Sequence, residues 1–159
     1  MDLYISILAT VISFVSLGFS IFIYINGLHR ESRQATIEAF AVLQESALDK
    51  LYSYTPKQIK EIAQHPRSQE YKDLTVLLVR CEHFSVGVNT GVYHFATIER
   101  LSNGYIVQLF KKIKPLIDKK REIGNGEFYK EFEKLAKKLD KKHILSQANN
   151  FENAPDVAK

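Results

Sequence analysis

The sequence predicts an all-α protein: a single N-terminal transmembrane helix followed by a cytoplasmic helical bundle of about five helices. Three observations carry this. Leu3 to Ile25 is an unbroken apolar run without charge or proline. Beyond it, apolar residues recur at spacings of three and four. No alternating run of useful length, as a half-buried strand would need, is found, nor any internal repeat.

The apolar run is LYISILATVISFVSLGFSIFIYI. At about 1.5 Å per residue it crosses a hydrocarbon core of about 30 Å with some tilt. Lipid offers the backbone no other hydrogen-bond partner, so the run must be helical there. A cleaved secretory signal is the competing reading. It is opposed by the acid Asp2 in place of a basic leader, by the length of the run, and by the exit Tyr24-Ile25-Asn26-Gly27-Leu28, which has no small-x-small site. The expectation is an uncleaved signal-anchor. Arg30 and Arg33 follow the run and no Lys or Arg precedes it, so the positive-inside rule puts the N-terminus outside and the remainder in the cytoplasm. The expected location is the inner (cytoplasmic) membrane, single-pass.

Within the run, Ser6, Ala9, Ser13, Ser16 and Ser20 are spaced 3, 4, 3, 4. Small residues on one face let helices approach closely, and a 3.5-residue repeat favours a left-handed crossing. This face reads either as an assembly seam or as serines bonded back to their own helix.

The body follows in order. Glu31 to Tyr52 reads as a helix, continuous with the anchor or broken at Asn26-Gly27. Tyr54-Thr55-Pro56 ends it, because a residue before proline avoids helix. A short helix, Lys57 to Gln64, stops at His65-Pro66. Ser68 to about Val88 is the central helix, with Ser68 as N-cap and Tyr71, Leu74, Leu77, Leu78, Cys81, Phe84, Ser85 and Val88 as its stripe. Gly87 to Gly91 is a turn signal, and Tyr93 to Leu101 a short helix. Tyr105 to Arg121 is helical with Pro115 inside, which should kink or split it. Glu122 to Gly126 is a loop. Glu127 to Lys142 is an amphipathic last helix with Phe128, Phe132, Leu135, Ala136 and Leu139 inward. The expected organisation is an anchor over 1–27, a cytoplasmic domain over 28–142 and a flexible tail over 143–159.

The chain has 159 residues and a formal net charge of +4, too modest to imply nucleic acid. Its one cysteine, Cys81, excludes an intrachain disulfide and lies on the apolar stripe, as a small buried hydrophobe would. Lys111 to Lys142 holds twelve basic residues against six acids. On the last helix, Lys134, Lys137, Lys138 and Lys141 form a basic face that either meets anionic lipid or is simply solvated.

The order Arg80-Cys81-Glu82-His83-Phe84-Ser85-Val86-Gly87-Val88-Asn89-Thr90-Gly91-Val92-Tyr93 resembles the central stretch of a bacterial family of unknown function. Ile98, Leu101-Ser102-Asn103-Gly104, Pro115-Leu116-Ile117, Arg121 and Tyr129-x-x-Phe132-Glu133-x-Leu135-Ala136 continue the pattern. The resemblance implies a small protein with one N-terminal membrane helix and a helical cytoplasmic domain, and it implies no catalytic residue. His94 stands where an acid is common, and Phe110 where tryptophan is.

Chemistry, if present, gathers at Arg80, Glu82, His83, Asn89, His94, Glu99 and Arg100. Glu82 or His83 could serve as general base with Arg80 or Arg100 holding an anion. The structural reading, which carries more weight, makes Glu82 with Arg80 or Arg100 an ordinary inter-helix salt bridge. Cys81-x-His83 is a single pair without a second, so no metal site is expected. There is no HExxH, P-loop, dinucleotide fingerprint or nucleophile elbow, so neither cofactor nor enzymatic activity is expected. The expected function is a non-enzymatic assembly module at the membrane. Its expected partners are lipid, further copies of itself and an unidentified protein. The alternative is an oligomeric toxin or stress effector that perturbs the membrane through assembled anchors.

Overall fold

The computed structural model describes residues 2–102, 104–124 and 126–152. All secondary structure in these is helical. Helix α1 spans Asp2–Leu43 without a break. A single π-helical turn, Gln44–Leu48, and α2, Asp49–Ser53, extend it into one rod. Asn26-Gly27 does not interrupt α1. An exposed glycine costs a helix only about 1 kcal/mol, and nothing at Gly27 demands a turn.

The two ends of the rod differ. No part of the apolar window is buried against the chain, so this helix is long and apolar enough to span a membrane and is not the core helix of the body. Large residues such as Phe14, Phe19 and Phe22 are exposed. Burial begins at Thr36 and continues through Phe40, Leu43, Ala47, Leu48 and Leu51.

Tyr54 turns the chain with an extended backbone. Thr55 then opens α3, Pro56–Gln64, through a capping box with Gln58 and with Pro56 in the first turn. Ser68 caps α4, Gln69–Asn89, by accepting the Tyr71 N–H at 3.1 Å. The predicted stripe of α4 faces the core, with Leu77 only partly covered. Helix α5, Phe95–Ser102, leads through Gly104, whose φ of 80° suits glycine, into α6, Tyr105–Ile123.

Pro115 lies inside α6 and does not split it. A mid-helix proline costs about 3 kcal/mol. Ile113, Leu116 and Ile117 around it are all completely buried, and each such side chain contributes about 1.5–3 kcal/mol. The flanking burial therefore outweighs the lost bond. Helix α7, Lys130–Glu152, begins later than the pattern indicated, after a turn in which Tyr129 adopts φ 59° and buries its ring. Its backbone remains helical beyond Lys142, into the stretch read as a tail; residues 153–159 lie outside the described residues.

Helix α4 packs on α7, α1 and the π turn, and α6 packs on α3 and α7. Ser32 meets Val92 and Ser46 meets Arg80, so α4 runs antiparallel to α1. Its C-terminal end and the start of α5 therefore face the apolar half of the rod.

Candidate functional site

The seam on α1 is only partly described. The side chains of Ser6 and Ala9 lie outside the described residues, whereas Ser13, Ser16 and Ser20 are exposed on one face. The Ser20 hydroxyl donates to the Ser16 carbonyl at 2.9 Å. That is back-bonding to its own helix, and it leaves the hydroxyl oxygen able to accept from a neighbour.

The polar residues of the central segment do not form one cluster. Glu82 turns toward α7. Its carboxylate accepts the backbone N–H of Glu131 at 3.1 Å and of Phe132 at 2.7 Å. These are first-turn amides of α7 with no partner inside the helix, so Glu82 acts as a cap reached from another element. Asn89 supports the same joint, donating to the Glu131 carbonyl at 3.0 Å and its carboxylate at 2.8 Å.

His83 and Arg80 turn the other way, because consecutive helical residues diverge by about 100°. They line a groove of about 580 Å³ between α1 and α4, with Ala39, Val42, Leu43 and Tyr93. Arg80 donates to the Ser46 carbonyl within the π turn at 3.3 Å. Glu82 and His83 thus share no cleft; of the base–anion pairs drawn from their spacing, His83 with Arg80 lines one groove and Glu82 is engaged elsewhere. Arg100 is exposed on α5 and lies with Arg33 and His94. Glu99 is half-buried. Cys81 is buried, and desolvation pushes its thiol up to about 12, so it is an inert hydrophobe near neutral pH.

On α7, Lys137 pairs with Glu133 at 2.7 Å and Lys134 approaches Glu131 at 3.6 Å. Lys138 sits over the Phe95 ring at 4.1 Å, and Lys141 is exposed. Glu133 also holds Arg121 at 2.8 Å, and the Lys137 hydrogen bond leads the effects that keep its carboxyl below the usual range. Half of this basic face is therefore occupied by acids of its own helix.

A second basic group went unread in the sequence. Asn26, His29, Arg30 and Arg33 of α1 line a cavity with His94. Arg33 and His94 also line an adjoining one with Ala96, Thr97 and Arg100. Buried Thr36 fixes the two walls together: its hydroxyl accepts the His94 N–H at 2.7 Å and donates to the Ser32 carbonyl at 2.6 Å. The signal in the sequence was Arg30 and Arg33 one turn apart, but their partners come from a distant segment.

Among the described residues, no three His, Cys, Asp or Glu side chains group as a metal ion would require. A family model described as a domain of unknown function, DUF4760, matches residues 7–139. The chain belongs to the DUF4760 family. No curated protein and no solved structure matches it. The DUF4760 match begins inside the apolar run and ends at Leu139, which is buried on α7. The apolar helix is thus part of the DUF4760 unit and not an appendage to it.

Proposed function

We propose that this chain is a membrane-anchored helical assembly module, non-enzymatic and self-associating, at the inner (cytoplasmic) membrane. In this reading the N-terminus is outside and the helical bundle lies in the cytoplasm, where it presents its surface to another protein. The anchor associates through the face of Ser6, Ala9, Ser13, Ser16 and Ser20.

The observation that carries the reading is the continuity of α1. One helix passes from exposed apolar residues to buried core residues with no break between them. A helix of this kind transmits the position of its membrane half directly to the body, which a flexible tether would not do. The small-residue face supplies a surface by which that membrane half can be placed.

The test is crosslinking of the full chain in native membranes, with wild type and Ser13→Ile. The expected result is a dimer or higher species in wild type that falls at least severalfold in the variant. Monomer alone in both would refute assembly.

A further inference from the structure

We propose that the cavity between α1 and α5, lined by Asn26, His29, Arg30, Arg33 and His94 and continued by Arg100, seats the phosphate of an anionic phospholipid. The inference rests on the reading of α1 as a membrane anchor and adds a lipid class and a site.

Depth is the first argument. The apolar run stops at Ile25, and the cavity wall starts at the next residue. From Asn26 to Arg33 the helix rises about 10 Å. The headgroup layer of one leaflet is roughly 5–8 Å thick. The cavity, about 450 Å³ with an adjoining 260 Å³, therefore begins where acyl chains end and lies at the level of lipid phosphates.

Charge is the second. Among the described residues, none of Arg30, Arg33 and Arg100 pairs with a carboxylate. At about 100° per residue, Glu31 on α1 falls on a face turned away from the cavity, and Glu99 on α5 is not among the residues that line it. The lysines of α7, by contrast, are partly neutralised by Glu131 and Glu133. Guanidinium forks match phosphate oxygens in a way that point-charge ammoniums do not.

Construction is the third. Thr36 of α1 accepts the His94 N–H, so the backbone that starts α5 is tied to α1 beside the cavity before any ligand arrives.

The test is native mass spectrometry of the full chain in detergent with added phosphatidylglycerol or phosphatidylcholine, and with inorganic phosphate as competitor. Wild type is expected to retain phosphatidylglycerol preferentially and to keep it against inorganic phosphate. Arg33→Gln should weaken retention about fivefold, the worth of about 1 kcal/mol per basic residue at a membrane surface. Arg30→Gln, Arg33→Gln and Arg100→Gln together should abolish the preference, while Lys134→Gln with Lys137→Gln should not change it. All three arginines are exposed; a triple variant with an altered melting curve is replaced by Arg100→Gln alone, expected to weaken retention about fivefold. Equal retention of both lipids, an unchanged preference in the arginine variants, or displacement by inorganic phosphate would each overturn the proposal. Alkaline carbonate extraction separates the two readings. Release of the chain from membranes defeats the anchor itself, whereas retention without lipid preference defeats only this inference.

Discussion

Removing the Glu82 carboxylate should destabilise the body more than its half-exposed position suggests. Glu82 accepts two backbone N–H bonds from the first turn of α7, one at 2.7 Å. A hydrogen bond to a charged group is worth about 1.5–3 kcal/mol. A carboxylate at a helix N-terminus adds about 0.3–1 kcal/mol. Partial exposure lets water replace some of this when the side chain is deleted, so the full sum does not apply. The expected cost is about 2–3 kcal/mol for Glu82→Ala and about 1–2 kcal/mol for Glu82→Gln, which retains one acceptor oxygen. For a body of this size that is a fall in melting temperature of roughly 8–12 °C for the alanine variant. The assay is thermal unfolding of the full chain in detergent followed by circular dichroism, with hydrogen exchange at the Glu131 and Phe132 amides as a local readout. Glu82→Ala within about 0.5 kcal/mol of wild type, with those two amides still protected, would refute the cap.

Three further outcomes follow from the same packing. Thr36→Val keeps the side-chain volume but removes the acceptor for the His94 N–H; it should cost about 1–3 kcal/mol and speed exchange at that amide. The Lys137 hydrogen bond, with Arg121 beside it, holds the folded-state pKa of Glu133 below its unfolded value. Its contribution is therefore complete above about pH 4.3 and is lost as pH falls through the lower folded value. Glu133→Gln should accordingly lower stability at neutral pH and flatten the acid limb of a melting-temperature profile, and a limb of unchanged steepness would contradict this. Cys81, buried with its thiol pushed up to about 12, should resist maleimide at neutral pH in the folded chain and react at once in denaturant.

Local signals in the sequence were legible and tertiary ones were not. The stripe of α4, the Ser68 cap and the Thr55-Pro56 start of α3 all depend on neighbours within four residues, and each could be read from spacing. The role of Glu82 could not, because its partners lie 49 and 50 residues away. The central polar residues looked like one site because they are close in sequence. On a helix the same closeness sends them in different directions: Glu82 and Asn89 to α7, Arg80 and His83 to α1 and the π turn. Pro115 was read as a kink or break because proline's local cost is visible and the burial of Ile113, Leu116 and Ile117 that offsets it is not. The π turn likewise follows from packing, with Ala47 and Leu48 wholly buried, and leaves no local mark.

The continuity of α1 also constrains how two chains could meet. Advancing about 100° per residue, Ser13, Ser16 and Ser20 fall roughly opposite the stripe of Thr36, Phe40 and Leu43 that enters the core. The wall formed by Asn26, His29, Arg30 and Arg33 falls roughly 120° from the serines. Anchors joined along the serine face would therefore carry their bodies outward on opposite sides, without collision and without covering the basic cavity. Assembly and lipid binding are then compatible on one helix. A break at Asn26-Gly27 would have removed this fixed relation between the faces. The same geometry makes Ser13→Ile a clean probe of the proposed assembly, because Ser13 is exposed on the face opposite the stripe that enters the core.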